Sequence, residues 1–242
     1  MPAALITGGK RIGVAIAHAL AAAGYDVALS YNASRSEAET AAAGVTAAGR
    51  RAHIVRANLS NPDDCQALVT DVASTFGRLD VLVNMASVYA EVTFDATDAA
   101  AWNRVIDVDL RGAFLCAHAA VPHMRAQGGG RIVNFSDWTA ASGRPRYPGF
   151  VAYYVAKTGM KALTEALALE LASDGILVNA IAPGPILPPP GLTDDELKAV
   201  ETATPLGRWG GAEAIVRAVM FLLATDFVTG ETIRVDGGRH LK

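Results

Sequence analysis

The sequence predicts one doubly wound α/β domain, a parallel sheet of about seven strands with helices on both faces. Three observations carry this. Short aliphatic runs alternate with longer helical patterns along all 242 residues. Each run is apolar on both faces, as a strand covered on both sides must be. No internal repeat, linker or low-complexity block divides the chain, and its length suits one domain, 1–242, with a full core.

The expected strands are Ala3–Thr7, Asp26–Tyr31, Ala52–Arg56, Val81–Asn84, Arg131–Phe135, Ile176–Ile181 and Thr232–Val235. Between them lie helical stretches. Gly13–Ala23 is Ala-rich and meets Gly24, a natural terminator. Arg35–Gly49 has a similar composition. Pro62–Phe76 follows Ser60 and Asn61, either of which can cap it, and stops at Gly77. Ala99–Arg125 and Tyr153–Ala172 are long enough to be central helices, and Ala212–Leu223 is the last. Pro183–Pro205 contains Pro185, Pro188, Pro189 and Pro190 as well and reads as a mobile flap over the site. Within it Thr193-Asp194-Asp195-Glu196 has the form of a capping box opening a short helix.

Composition narrows the function classes. A net charge of -3 gives no polyanion footprint and argues against nucleic acid as a partner. The two cysteines, Cys65 and Cys116, lie far apart in apolar helical patterns, so a disulfide is not expected and a reducing cytoplasm fits. No leader precedes the first strand, and apolar runs break before membrane-spanning length, so a cytoplasmic protein with no membrane partner is expected. No His, Cys and Asp cluster has metal-ligand spacing.

The first strand runs into Thr7-Gly8-Gly9-Lys10-Arg11-Ile12-Gly13 and then a helix. Strand, glycine-rich turn and helix is the context a dinucleotide fold needs: glycines admit the pyrophosphate, and a helix N-terminus favours the anion. The alternative is a tight turn chosen for geometry alone. Strand two ends in Tyr31-Asn32-Ala33-Ser34-Arg35 without the acid that holds unphosphorylated ribose in NAD enzymes. Asn32, Ser34 and Arg35 are donors there, and Lys10 and Arg11 add charge. The set points to NADP(H), since arginine–phosphate bonds are strong. Further on, Tyr153 and Lys157 are spaced Tyr-x-x-x-Lys, on one face of a helix. A lysine ammonium beside a phenol lowers its pKa from about 10 toward neutral, preparing it for proton transfer.

These segments resemble the short-chain dehydrogenase/reductase superfamily, a group of Rossmann-type oxidoreductases, over nearly the whole chain. The resemblance implies a glycine loop at Gly8, Lys10, Arg11, Ile12 and Gly13, shorter here than the family's pattern, with Arg11 in place of its middle glycine. It implies adenine contacts at Asn58 and Leu59, cofactor contacts at Asn84, Ala86, Ser87, Tyr153 and Lys157, and a nicotinamide-side segment at Pro183, Gly184 and Ile186. Asp236-Gly237-Gly238 matches the family's last strand and turn. The family's catalytic serine aligns with Asp137, with Ser136 the competing assignment. Asp109 stands where the family has an asparagine that holds a water behind the lysine; it serves that role with an added charge or is a structural tolerance. A homotetramer is the family's habit.

Arg11, Asp137 and Tyr89 resemble the pteridine reductase branch, and the C-terminal sequence resembles dihydromonapterin reductases within it. That implies a substrate slot at Arg11, Ser87, Tyr89, Asp137, Trp138 and Tyr153. Each has a plainer reading: Tyr89 is a rim aromatic, while Trp138 and Tyr147 fold the long loop before Tyr153. Tyr154 reads as packing. The expected activity is NADPH-dependent reduction of a flat heterocyclic C=N, as in a pterin, or of a carbonyl. The alternatives are a general ketone or 3-oxoacyl reductase of the same superfamily, or an NADP-binding regulatory protein without catalysis.

Overall fold

The computed structural model describes residues 1–8 and 10–242; Gly9 of the phosphate-loop motif lies outside the described residues. Seven strands form one sheet in the order β3-β2-β1-β4-β5-β6-β7, every neighbouring pair parallel. They are β1 (Ala3–Thr7), β2 (Asp26–Tyr31), β3 (Ala52–Arg56), β4 (Val81–Asn84), β5 (Gly130–Phe135), β6 (Ile176–Pro183) and β7 (Thr232–Val235). The chain winds outward from β1 to β3, then returns beside β1 at β4 and winds the other way. Crossovers therefore diverge beyond the C-terminal ends of β1 and β4 and leave a crevice there.

The sheet is covered as its two-sided apolar strands require. In β1, Ala3 and Leu5 face one core and Ala4 and Ile6 the other, the period of two that a strand imposes. The first core takes Leu68 and Val72 of α3 (Pro62–Phe76), Ala120 and Met124 of α5 (Gly112–Ala126) and Leu171 of α7 (Val151–Leu171). The second takes Ile16 and Leu20 of α1 (Ile12–Ala22), Val45 of α2 (Arg35–Ala47) and Val219 of α9 (Ala212–Ala224). Asn61 caps α3 by accepting from Asp63 N, and Gly77 closes it at φ 76°. Cys65 and Cys116, distant in sequence, meet in the first core as free thiols. Among the described residues, no helix is long and apolar enough to cross a membrane.

Four elements differ from expectation. The helix expected over Ala99–Arg125 is α4 (Ala99–Ile106), one π turn (Asp107–Arg111) and α5. The wider turn carries Asp109 into the interior, where three polar partners await it. Strand β6 runs on to Pro183, which pairs in register with Val235 of the last strand. The proline-rich segment is not irregular throughout. The Thr193–Glu196 capping box forms and opens α8 (Asp194–Ala203), and Leu206 N donates to Gly237 O at 3.1 Å beyond it. A short helix α6 (Trp138–Ala141) was not expected; Asp137 caps it by accepting from Thr139 N at 2.7 Å.

Candidate active site

The crevice begins where β1 ends. Thr7 Oγ1 accepts from Met85 N at 3.1 Å and Ala86 N at 3.3 Å, tying the end of β1 to the chain leaving β4. Gly8 has φ 83°, and a Cβ there would lie 3.1 Å from Ala86 Cα. A Cβ on Gly13 would lie 2.7 Å from Gly8 O. Both glycines are therefore required by close backbone approach. Arg11, before α1, has φ 50° and ψ -99°, a conformation that strains a residue with a Cβ by about 1–3 kcal/mol. Its guanidinium reaches across the crevice and donates to Pro188 O at 2.6 Å.

A cavity of about 430 Å³ opens beside this turn. Gly8, Lys10, Tyr31, Asn32 and Ser34 line one side, and Asn58, Leu59, Ala86 and Ser87 the other. Close-packed glycines, a helix N-terminus and polar donors fit the adenosine and pyrophosphate part of a dinucleotide. Arg35 departs from the expectation: its Nε donates to Glu39 at 2.8 Å on the exposed surface, and it lines neither cavity. Glu37 was missed. It lines the cavity and pairs with Lys10 at 3.3 Å. The available signal was an acid in the first turn of the helix after β2. Asn84 and Gly13 also lie off the cavity walls. Asn84 is buried and donates to Asn134 Oδ1 at 3.0 Å, joining β4 to β5.

A second cavity, about 670 Å³, continues from the first. Lys10, Met85 and Ser87 belong to both. The larger contains Pro183, Gly184 and Ile186, and also Arg11, Ile12, Tyr89, Asp137, Trp138 and Tyr153. It thus gathers the expected nicotinamide side and the expected substrate slot in one space. Its apolar wall includes Phe150, Leu187, Leu192 and Val200, the last from α8 in the flap.

Tyr153, the residue expected to transfer a proton, lies in the first turn of α7. Its hydroxyl donates to Asp137 Oδ2 at 3.3 Å. Asp137 Oδ1 accepts from Thr139 N and, at 2.5 Å, from Thr139 Oγ1. Ser136, the competing candidate, is buried and donates to Lys157 O at 2.8 Å. The geometry thus puts the carboxylate of Asp137 on the phenol and directs the Ser136 hydroxyl to the α7 backbone. Lys157 is 3 % exposed; its Nζ pairs with Asp109 Oδ2 at 3.2 Å, donates to Phe135 O at 3.0 Å, and is 5.5 Å from the Tyr153 ring centre. Asp109 is fully buried and also accepts from Ser87 Oγ and, at 2.7 Å, from Val88 N.

The expectation that Lys157 lowers the Tyr153 pKa is corrected by this arrangement. Burial pushes the phenol well above its ordinary value, and the carboxylates of Asp137 and then Asp109 push the same way. Tyr153 is therefore a neutral phenol at physiological pH.

The aromatic residues engage one another. Tyr89 stacks on Phe150 with ring centres 4.8 Å apart and meets Tyr153 edge-on at 4.9 Å. Trp138 has Arg146 at 5.6 Å and Arg239 at 5.8 Å from its ring centre, and Tyr147 at its edge. Phe150, Arg146, Arg239 and Trp209 line the cavity and were missed. Arg239 follows the Asp236-Gly237-Gly238 turn, while the other three come from segments without a motif; the fold brings all four together.

Comparison with known proteins gives the family. The model of a family described as Enoyl-(Acyl carrier protein) reductase covers residues 8–240. The chain belongs to the short-chain dehydrogenase/reductase family and is a nicotinamide-dependent oxidoreductase. It is 40% identical over 245 residues to 3-oxoacyl-[acyl-carrier-protein] reductase FabG of Staphylococcus aureus strain N315, covering 98% of each chain. Among solved structures, acetoin dehydrogenase YohF from Salmonella typhimurium superposes with a TM-score of 0.89 at 34% identity, covering 100% of this chain and 98% of that one. A short-chain dehydrogenase/reductase from Serratia marcescens BCRC 10948 gives 0.91 at 31% identity, covering 99% and 98%.

Proposed function

We propose that the chain is an NADPH-dependent carbonyl reductase acting on ketones, 3-oxoacyl chains among them. The carrying observation is a neutral phenol, Tyr153, facing a largely apolar cavity next to the segment expected to hold nicotinamide. A nicotinamide dinucleotide held by Gly8, Lys10, Asn32 and Ser34 at one end and by the Pro183, Gly184 and Ile186 segment at the other would supply a hydride for the carbonyl carbon. Tyr153 supplies the proton to the carbonyl oxygen, whose developing alkoxide is basic enough to take it even from a phenol of raised pKa. Asp137 orients the hydroxyl, and the flap wall excludes water. Similarity to FabG and to acetoin dehydrogenase supports a carbonyl substrate. Asn32, Ser34 and Lys10 support NADPH, because β2 ends without an acid and these donors line the smaller cavity.

Pterin reduction is the second reading, because Arg11, Tyr89 and Asp137 do line one cavity. Each is engaged elsewhere, however: Arg11 with Pro188 O, Tyr89 with Phe150, and Asp137 with Thr139 and Tyr153. A pterin has to displace these contacts, whereas an aliphatic ketone does not. The test is NADPH oxidation against a 3-oxoacyl thioester, a simple ketone and a dihydropterin. Higher kcat/KM for the carbonyls is expected, and Tyr153→Phe should cut turnover by roughly 10²-fold or more without preventing NADPH binding. A preference for the dihydropterin that Asp137→Ser abolishes would establish the second reading instead. Native turnover in Tyr153→Phe would remove the phenol from the mechanism.

A further inference from the structure

The buried pair formed by Asp109 and Lys157 has a consequence for the proton donor. Both groups are almost wholly shielded from solvent, where an unpaired charge acts strongly on its neighbours. An uncompensated ammonium 5.5 Å from the Tyr153 ring centre would favour the phenolate and so lower the phenol's pKa. Here the ammonium is compensated at 3.2 Å by a carboxylate, and that carboxylate is held by Ser87 Oγ and Val88 N from the chain leaving β4. The π turn brings it there. We propose that Asp109 is a charge-compensating positioning residue: its ion pair with Lys157 cancels the lysine's field at Tyr153 and extends proton donation to higher pH.

This rests on Tyr153 being the proton donor of a reductase. The titratable and charged groups around the phenol are few. Asp137 approaches from the β5–α6 connection, Tyr89 from the chain after β4, Asp109 from the π turn and Lys157 from α7 itself. Lys10, Arg11, Arg146, Tyr147 and Arg239 also line the cavity. Of the near groups Lys157 alone is cationic, and Asp109 is its ion-pair partner. Asparagine at 109 would keep an acceptor for Val88 N and remove the charge. Lys157 would retain Phe135 O.

The test is direct titration of the phenol, which needs no substrate. Ultraviolet absorbance of the phenolate is followed in the native protein and in Asp109→Asn, each minus its Tyr153→Phe counterpart, which isolates one phenol among six tyrosines. Half-ionisation of Tyr153 should fall by at least one pH unit in Asp109→Asn. The alkaline limb of kcat for carbonyl reduction should fall with it. Lys157→Met combined with Asp109→Asn supplies a second arm, read the same way. Both charges are then gone, the site is uncharged as in the native pair, and the phenol should titrate within a few tenths of a unit of native. An unmoved phenol in Asp109→Asn overturns the proposal, as does a shift of a unit or more from native in the double variant. Failure of the native enzyme to reduce any carbonyl would overturn the reductase reading, while the phenol titration still reports on the charge pair.

Discussion

At the scale of single residues, the site turns on which charges are already paired. Sequence reasoning assigned Arg35 to a ribose phosphate, but its guanidinium is held by Glu39. Lys10 is the cation in the smaller cavity, and Glu37 is its partner. A 2′-phosphate in that cavity would compete with Glu37 for Lys10 through the stronger bond. Lys10→Ala should therefore narrow the NADPH over NADH preference in kcat/KM by about tenfold. Arg35→Ala should change it by no more than about two- to threefold. The reverse ranking would return Arg35 to the cofactor.

At the scale of elements, an exposed hydrogen bond from Arg11 to Pro188 O joins the phosphate loop to the flap. Arg11→Gly relieves the positive φ and cuts that bond. Amide hydrogen exchange over residues 186–203 should then rise in the free protein, and bound cofactor with substrate should suppress it. Equal protection in all these states would show that the segment is no lid. Much of this level was legible beforehand. Five strands, β1 to β4 and β7, have the bounds that their apolar runs and turn residues predicted. Asn61, Gly77 and the Thr193–Glu196 box act through local chemistry that reads directly from order and spacing. The π turn was not legible, because what stabilises it is Asp109 meeting Lys157, 48 residues away in the chain. The phenol's pKa went the wrong way for the same cause. The Tyr-x-x-x-Lys spacing is local, whereas the carboxylates that oppose the lysine come from other elements.

At the scale of the whole molecule, several large apolar side chains are left exposed, among them Phe114 of α5, Val151 and Val155 of α7, Phe221 of α9, and Phe227 and Leu241 toward the C-terminus. We propose that a closed homotetramer covers part of this surface. Light scattering should then give four times the 25.1 kDa of one chain. Val155→Asp, if α7 lies in a contact, should reduce the mass. A monomer at micromolar concentration would count against the assembly.

The continuity of the two cavities has a kinetic meaning. Among the described residues, Lys10, Met85 and Ser87 line both, and the larger space holds both the expected nicotinamide wall and the proposed proton donor, Tyr153. A ketone arriving first would lie where the ring of the dinucleotide has to lodge. Addition should therefore be compulsory, dinucleotide before ketone, with release in the opposite order. Oxidised dinucleotide should then be a competitive inhibitor against the reduced form and noncompetitive against the ketone. Excess ketone should slow turnover by trapping the binary complex with spent dinucleotide. Random addition, with competitive and noncompetitive patterns failing to separate, would mean that the ketone enters without crossing the dinucleotide's path.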